Sequence, residues 1–381
     1  DKKNGVPIVY ATVGVEGTSI GSITNQAGEF RLHLADSLRR KSLVFSHVGY
    51  MAQKIDIPLL TAGQHFTLTL EPRIFPLQEV VHPIRLMREM LEKRMINYSQ
   101  KPVYFTTFYR EGVQYKQKFR SLTEAVFKIY KSPVQSLYAR EQVKLLKMSR
   151  ITDGLEQDTL IARMSGGIDA CLQLDIINHL PDFLLADAHK DVYAYTSADV
   201  TIVGDHLVNV ISFEQKKEVK EPLYCGELYI DSDNGALLQA QIRIHPRYMK
   251  QATDMVVQRQ ARRMKIVLQE LTYTISYKPW NGTYYINHVR GDLHFKVKQK
   301  RQWLGSSSLH TWFEMVTCKI DTVGVTRFQR NERIPTRTVF ADTHFKYDSD
   351  FWENFNVIPW EKQLVEVIEQ LTSKIEKIEY E

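Results

Sequence analysis

A chain of 381 residues with 43% hydrophobic and 25% charged side chains has the balance of a folded protein, and its length suggests two domains. Lys plus Arg number 50 against 44 Asp plus Glu, and the resulting +6, spread over this length, argues against nucleic acid as a partner. No run of about 18 apolar residues occurs, so no membrane-spanning helix is encoded.

Aromatic residues reach 11%, with 19 Tyr and 17 Phe, which favours sheet because such side chains pack well on a pleated surface. Along the first seventy residues, strands are expected at Ile8–Val15, Phe30–Leu34, Leu43–Val48, Lys54–Ile57 and Phe66–Leu70. Phe30, Leu32 and Leu34 alternate with Arg31 and His33, and Phe66, Leu68 and Leu70 alternate with Thr67 and Thr69. Turns fall at Gly17–Gly21, Asn25–Gly28 and Gly49. Short strands with turns between them predict a small β-sandwich over 1–72.

Pro72, Pro76 and Pro83 break ladders and helices, so 73–83 reads as a linker, with Val80 and Val81 a candidate last strand. Residues 84–381 then form a second, larger domain. Ile84–Tyr98 reads as a helix whose core stripe is Ile84, Met87, Leu91 and Met95. Tyr104–Glu111 reads as strand, and Tyr115–Tyr130 as strand or helix. Ile168–Leu174 and Ile176–Leu185 read as helix or loop, with Asp182 a candidate N-cap.

From Tyr193 the pattern is β: Tyr193–Ile202, Leu207–Phe213, Leu223–Ile230, Ala236–His245, Met264–Tyr277, Tyr284–His288, Leu293–Val297 and Trp312–Ile320. Gly204-Asp205, Asn234-Gly235 and Asn281-Gly282 supply turns, the Asn-Gly pairs because both positions of a tight hairpin need positive φ. Successive hairpins build an antiparallel meander. Trp360–Ile378 carries Leu364, Ile368, Leu371, Ile375 and Ile378 at helical spacing. It is read as an amphipathic helix lying on a sheet, with membrane-surface binding the alternative. The expected class is mainly β, α+β overall, with helices packed on a large antiparallel sheet.

The motifs Pro7-Ile8-Val9-Tyr10-Ala11-Thr12-Val13, Gly17-Thr18, Thr24-Asn25 with Gly28-Glu29-Phe30, and Ser46-His47-Val48-Gly49-Tyr50 resemble the carboxypeptidase-regulatory-like domain of Bacteroidetes envelope proteins. The resemblance covers roughly the first seventy residues and implies a transthyretin-like β-sandwich, a structural module without catalysis. In that family the module stands at the N-terminus of outer-membrane transporters and of other surface and periplasmic proteins. The family pattern begins with a strand before the Pro-Ile segment. Only six residues precede Pro7, so that strand is expected to be missing and a sandwich edge bare.

The rest is similar to the companion domain of proteins that begin this way, through Asn97-Tyr98, Phe108-Tyr109-Arg110-Glu111, Glu124-Ala125, Gly226–Asp231, Tyr347-Asp348 and Phe351-Trp352. Leu223–His245 is also similar to the curved sheets of lipoprotein-carrier-like proteins.

No metalloprotease, nucleophile-elbow, Walker or dinucleotide motif occurs among the chain's 12 His and its Gly-rich segments. Three scattered cysteines, Cys171, Cys225 and Cys318, without a Cys-x-x-Cys pair, argue against a zinc knuckle or disulfide framework. Three buried thiols are the simplest account, with one disulfide plus one thiol the alternative. Asp231, Asp233 and Asn234 have some of the spacing of a calcium loop, but a hairpin turn explains them better. Ser165-Gly166-Gly167 is a loop rather than a phosphate nest, and Tyr109-Arg110-Glu111 reads as a structural Arg–Glu network.

Lys296, Lys298 and Lys300 fall on one face of a strand, followed by Arg301 and Trp303. Arg259, Arg262, Arg263 and Lys265 make a second basic cluster. Either these are solvated sheet faces, or Lys296, Lys298, Lys300 and Arg301 contact an anionic ligand such as lipid headgroups or polysaccharide. No catalytic residue, cofactor or metal site is assigned. The expectation is a non-enzymatic envelope protein, periplasmic or outer-membrane-associated, that binds or assembles with a protein, glycan or lipid. The alternative is a periplasmic carrier of lipid or lipoprotein using the concave face of the large sheet.

Overall fold

The computed structural model describes residues 1–60, 65–73, 82–134, 141–152, 162–164, 167–260, 264–299, 305–336, 355–361 and 364–366. In the first part, β1 (Thr12–Val15), β2 (Gly21–Ile23), β3 (Ser42–Ser46) and β4 (Gln53–Asp56) form an antiparallel sheet in the order β2-β1-β3-β4. Val13, Val15, Leu43 and Phe45 alternate into its core, as period-2 burial requires. The expected strand at Ile8–Val15 starts later because Tyr10 has φ of 60°, a left-handed conformation that interrupts extended backbone.

The expected strands around Phe30–Leu34 and Phe66–Leu70 keep their alternation but join no ladder. Their apolar side chains cover the four-stranded sheet, with the Phe30 ring edge-on to Phe45 at 5.4 Å. Thus one layer of the sandwich is hydrogen-bonded and the other is extended chain. Val80 and Val81 lie outside the described residues.

The helix expected over Ile84–Tyr98 is two: α1 (Pro83–Glu92) and the single turn α2 (Arg94–Asn97), broken at Lys93. Leu86, Met87 and Met90 are its buried face, while Ile84, Leu91 and Met95 are half-buried flanks. The true stripe is therefore rotated from the expected one.

The remaining strands are β5 (Val103–Tyr115), β6 (Lys118–Lys131), β7 (Gln142–Thr152), the short β8 (Ala162–Met164), β9 (Tyr193–Val203), β10 (His206–Gln215), β11 (Tyr224–Asp231), β12 (Leu237–Ile244), the short β13 (Val257–Gln260), β14 (Met264–Trp280), β15 (Thr283–Gln299) and β16 (Ser307–Asp321). Ten of them form one antiparallel sheet in the order β7-β6-β5-β16-β15-β14-β12-β11-β10-β9. The meander from β9 to β16 is the expected one; the last strand then pairs with β5, which joins β5–β6–β7 to the far side. Helix α3 (Gly167–Gln173) and the turn α4 (Thr253–Val256) pack nearby. Asp182 is not an N-cap: Pro181 holds that position and Asp182 opens a single 3-10 turn.

One face of the large sheet is the main core. Phe105, Phe127, Phe213, Leu228, Ile275 and Phe295 lie there under α1, α3 and the turns around Ile176–Ala186. Each fully buried side chain of this size contributes roughly 1.5–3 kcal/mol. Cys171, Cys225 and Cys318 are all buried free thiols.

The opposite face carries the first domain. Ile23 packs with Phe108, Val126, Val316 and Ile358. Ser19 Oγ donates to Ile320 O and accepts from Ile320 N, both at 3.0 Å, and Asn287 Nδ2 donates to Thr12 Oγ1 at 3.1 Å. At the edge strand β9, Gly49 N donates to Ile202 O at 2.7 Å. Of the expected terminal helix only 364–366 is described, where Leu364 packs with Leu122, Ile151 and Trp312.

Candidate functional site

Along β15 the outward positions read His288, Arg290, Asp292, His294, Lys296 and Lys298, while Val289, Gly291, Leu293, Phe295 and Val297 turn to the core. Strand alternation therefore lays a polar file across the sheet. It begins buried beneath the first domain and ends in solvent.

At the buried end, His288 Nε2 meets Glu314 Oε1 at 2.9 Å, and the Tyr10 ring lies 4.9 Å from the His288 ring. Arg290 donates twice to Asp292, at 2.6 and 2.9 Å, and lies 3.7 Å from Glu314. Its guanidinium also sits over the rings of Trp312 and Tyr10. Burial works against ionising Asp292, but hydrogen bonds from His310 and Arg290 hold it down at about 2. Glu314 is likewise held below the usual range: burial opposes it, and His288 and Arg290 outweigh that. These charges are consumed in pairs.

Midway, the His294 and His310 rings stack at 4.0 Å, and His310 Nε2 reaches Asp292 at 3.2 Å. Burial, then the charge of His310, lowers the pKa of His294. At the open end Lys296 and Lys298 are exposed, and Lys298 stands across from exposed Lys265 of β14. Lys296 faces Val267 on one side and Ser308 on the other. The β5–β6 hairpin brings exposed Lys116 and Lys118 alongside, since Lys116 N donates to Ser308 O at 2.9 Å. Among the described residues Lys265, Lys296 and Lys298 form no ion pair with a carboxylate. The expected contacts Lys300 and Arg301 lie outside the described residues, as do Arg262 and Arg263.

Beside the file, Arg110 pairs with Glu124 at 2.7 Å with both side chains almost fully buried, and it also donates to Ile358 O. Trp360 Nε1 donates to the same Glu124 oxygen at 2.7 Å. The Arg–Glu network is thus real, but the partner is Glu124 on the neighbouring strand. Glu111, two residues along the opposite face, instead accepts from Tyr109 OH at 2.6 Å.

On the core face a second cluster lies beside a cavity of about 20 Å³, room for one water molecule. Buried Lys131 bridges Glu141 at 2.8 Å and Asp175 at 2.7 Å, and Tyr277 OH donates to Asp175 at 2.9 Å. Burial disfavours each charge, yet Asp175 and Glu141 raise the pKa of Lys131, and Lys131 depresses that of Glu141.

Residues 1–82 match the family of the CarboxypepD_reg-like domain. The match covers the first 82 of the 381 residues. The signature residues of the CarboxypepD_reg-like domain do turn work. Asn25 Oδ1 accepts from Ala27 N and Glu29 N, both at 2.9 Å, and Gly28, with φ of 74°, lies against Pro7 where a Cβ would be 3.0 Å from the proline ring.

No curated protein matches the chain. Among solved structures, one provisionally assigned as an outer membrane lipoprotein-sorting protein domain, from Vibrio parahaemolyticus, aligns at 10% identity and a TM-score of 0.27, covering 64% of this chain and 94% of that one. A DUF1329 family protein from Desulfovibrio piger aligns at 12% identity and 0.27, covering 65% and 96%. The MucA/MucB complex of Pseudomonas aeruginosa contributes a chain at 11% identity and 0.20, covering 64% and 99%. Superpositions at these scores establish no relationship.

Sequence reasoning placed His294, Lys296 and Lys298 in alternation with Leu293, Phe295 and Val297, and missed that His288, Arg290 and Asp292 continue that face. The period-2 spacing was the available signal. Glu314 and Tyr10 come from distant segments, and only the strand pairing and the docked domain bring them in.

Proposed function

We propose that the chain is a non-enzymatic cell-envelope protein, periplasmic or outer-membrane-associated, whose larger domain docks an anionic envelope partner through the lysine end of the β15 file. The observation that carries this reading is the exposure of Lys265, Lys296 and Lys298 together on one sheet face, without a carboxylate partner among the described residues. The buried charges behind them are neutralised among themselves, so they hold the strand rather than serve chemistry. The CarboxypepD_reg-like domain supports the envelope setting, and its fixed seat on the same face would orient the lysines relative to whatever it attaches to.

Each lysine near an anionic surface contributes about 1 kcal/mol at moderate salt, so removing three weakens binding by roughly 100-fold. The test is co-sedimentation of the full chain with phosphatidylglycerol-containing vesicles and with neutral phosphatidylcholine vesicles, at low and high salt. Binding to the anionic vesicles only, weakened by salt and lost in the K265Q/K296Q/K298Q variant, is expected. Equal partitioning of parent and variant would overturn the assignment of the site.

A further inference from the structure

A separate cluster lies where two hairpins meet, far along the sheet from the lysine file. His206 opens β10 and Asp231 closes β11, in antiparallel neighbours. Ser232 N donates to Leu207 O at 2.9 Å, which carries the ladder past the Val208–Asp231 pair. The next positions, His206 and Asp233, therefore come side by side. His206 Nδ1 lies 2.7 Å from Asp231 Oδ2, and donor atoms of His206, Asp231 and Asp233 all fall within 4.8 Å of one another.

The buried member of the set is fixed before any ion arrives. Asp231 is 0% exposed, its Oδ1 accepts from Asp233 N at 2.8 Å and Asn234 N at 3.3 Å, and Tyr284 OH reaches Oδ2 at 3.4 Å. Tyr284 is itself held by Asn234 Nδ2 at 2.8 Å. Such outer contacts orient metal ligands and are part of working sites. His206 is half-exposed and Asp233 exposed, leaving room for water on the outer side.

Charge gives an independent reason. Asp205, Asp231 and Asp233 all act on the one imidazole of His206, so the locality holds negative charge in excess even with the histidine protonated. Lys93 approaches this loop along Gly235. Asp233 forms no ion pair among the described residues.

We propose that His206, Asp231 and Asp233 form a divalent transition-metal site, with water completing the shell. One imidazole and two carboxylates suit an ion such as Zn²⁺ better than Ca²⁺, which takes oxygen ligands alone. An imidazole must be neutral to ligate, so protons compete with the metal and affinity falls by roughly tenfold per pH unit once the histidine is protonated.

The test uses the full chain without an affinity tag, titrated calorimetrically with Zn²⁺ alone and, in parallel, Ca²⁺ alone. One saturable Zn²⁺ equivalent, weakening from pH 8 to pH 6 and raising the melting temperature, is expected. His206→Gln and Asp233→Asn should each weaken it by tenfold or more. Asp233→Asn alters an exposed side chain and serves if the histidine variant folds poorly. A titration without a saturable equivalent overturns the site. So does a Zn²⁺ affinity unchanged in both variants, which would assign the ion to other histidines, or tighter binding of Ca²⁺.

Discussion

Gly226 sits in the middle of β11, and a methyl group at its Cβ position would lie 1.9 Å from the carbonyl oxygen of Gln241 and 2.9 Å from its carbonyl carbon. An ordinary contact there needs more than 3 Å, so β11 and β12 would have to separate by over an ångström. The obstacle is backbone, which cannot rotate away, and the strands are held by a ladder running from Tyr224–Ile244 to Ile230–Leu237. Overpacking typically costs about 1–3 kcal/mol where side chains can yield. Here the ladder itself must yield, so Gly226→Ala should lose about 3 kcal/mol or more, a large fraction of the roughly 5–15 kcal/mol that holds a domain. The control is Gly282, with φ of 74° and nothing within 4 Å of an added Cβ. Gly282→Ala meets only the left-handed backbone penalty of about 1–2 kcal/mol. Urea unfolding followed by far-UV circular dichroism compares the two with the parent. The reasoning fails if Gly226→Ala unfolds at the parent midpoint, or is the milder of the pair.

Removing one partner of the buried Arg110–Glu124 pair, as in Arg110→Met, leaves a carboxylate uncompensated and should cost about 3–5 kcal/mol, read as a shift of the urea midpoint. Glu141 has a folded pKa below its ordinary value, so its contribution is present above about pH 4.5 and lost as pH falls further. In Lys131→Met the step in stability between pH 5 and pH 3 should therefore shrink, and an unchanged step would refute the Lys131–Glu141 coupling. Lys278 donates to Thr317 O at 2.8 Å with no carboxylate paired to it among the described residues, and burial pulls its pKa down to about 8. The unfolded chain then holds more protons between pH 8 and about 10.5, so stability should rise with pH there, by at most about 3 kcal/mol. Lys278→Met should remove that rise, and melting curves at pH 7.5 and pH 9.5 check it.

The fold was legible wherever the alternation was unbroken, and it blurred where a local device shifted the phase. β7 gave no strand signal because the β6–β7 register slips between Val126 and Phe127, leaving Leu146 as an extra residue on β7. Its inward residues Val143, Leu145 and Met148 then space by two and by three. β15 read as two strands because Gly291-Asp292 looks like a break. In the sheet Gly291 is mid-strand opposite Phe313, whose ring atoms come within 2.4 Å of where a Cβ would be, and Gly112 lies under Trp312 in the same way. A large ring covering a cross-strand glycine keeps the ladder and the packing together.

Asn-Gly was read alike at both of its hairpins, yet the two differ. Asn281 and Gly282 both have positive φ, at 49° and 74°, as a two-residue turn demands, and Trp280 pairs with Thr283 across it. At Asn234-Gly235 only the glycine is left-handed, because the Asp231 carboxylate has taken the N–H groups of Asp233 and Asn234 and widened the loop. That same carboxylate, fixed by its own loop, is what meets His206 from the next hairpin. The acidic spacing was visible in the sequence, but the imidazole was not, since it stands 25 positions earlier and only the β10–β11 register brings it near. The lysine file shows the converse: its members lie on one strand, so period two was enough to find its exposed end. What a sequence reveals of a site thus depends on whether the donors share an element or meet across a register, and this chain holds one of each.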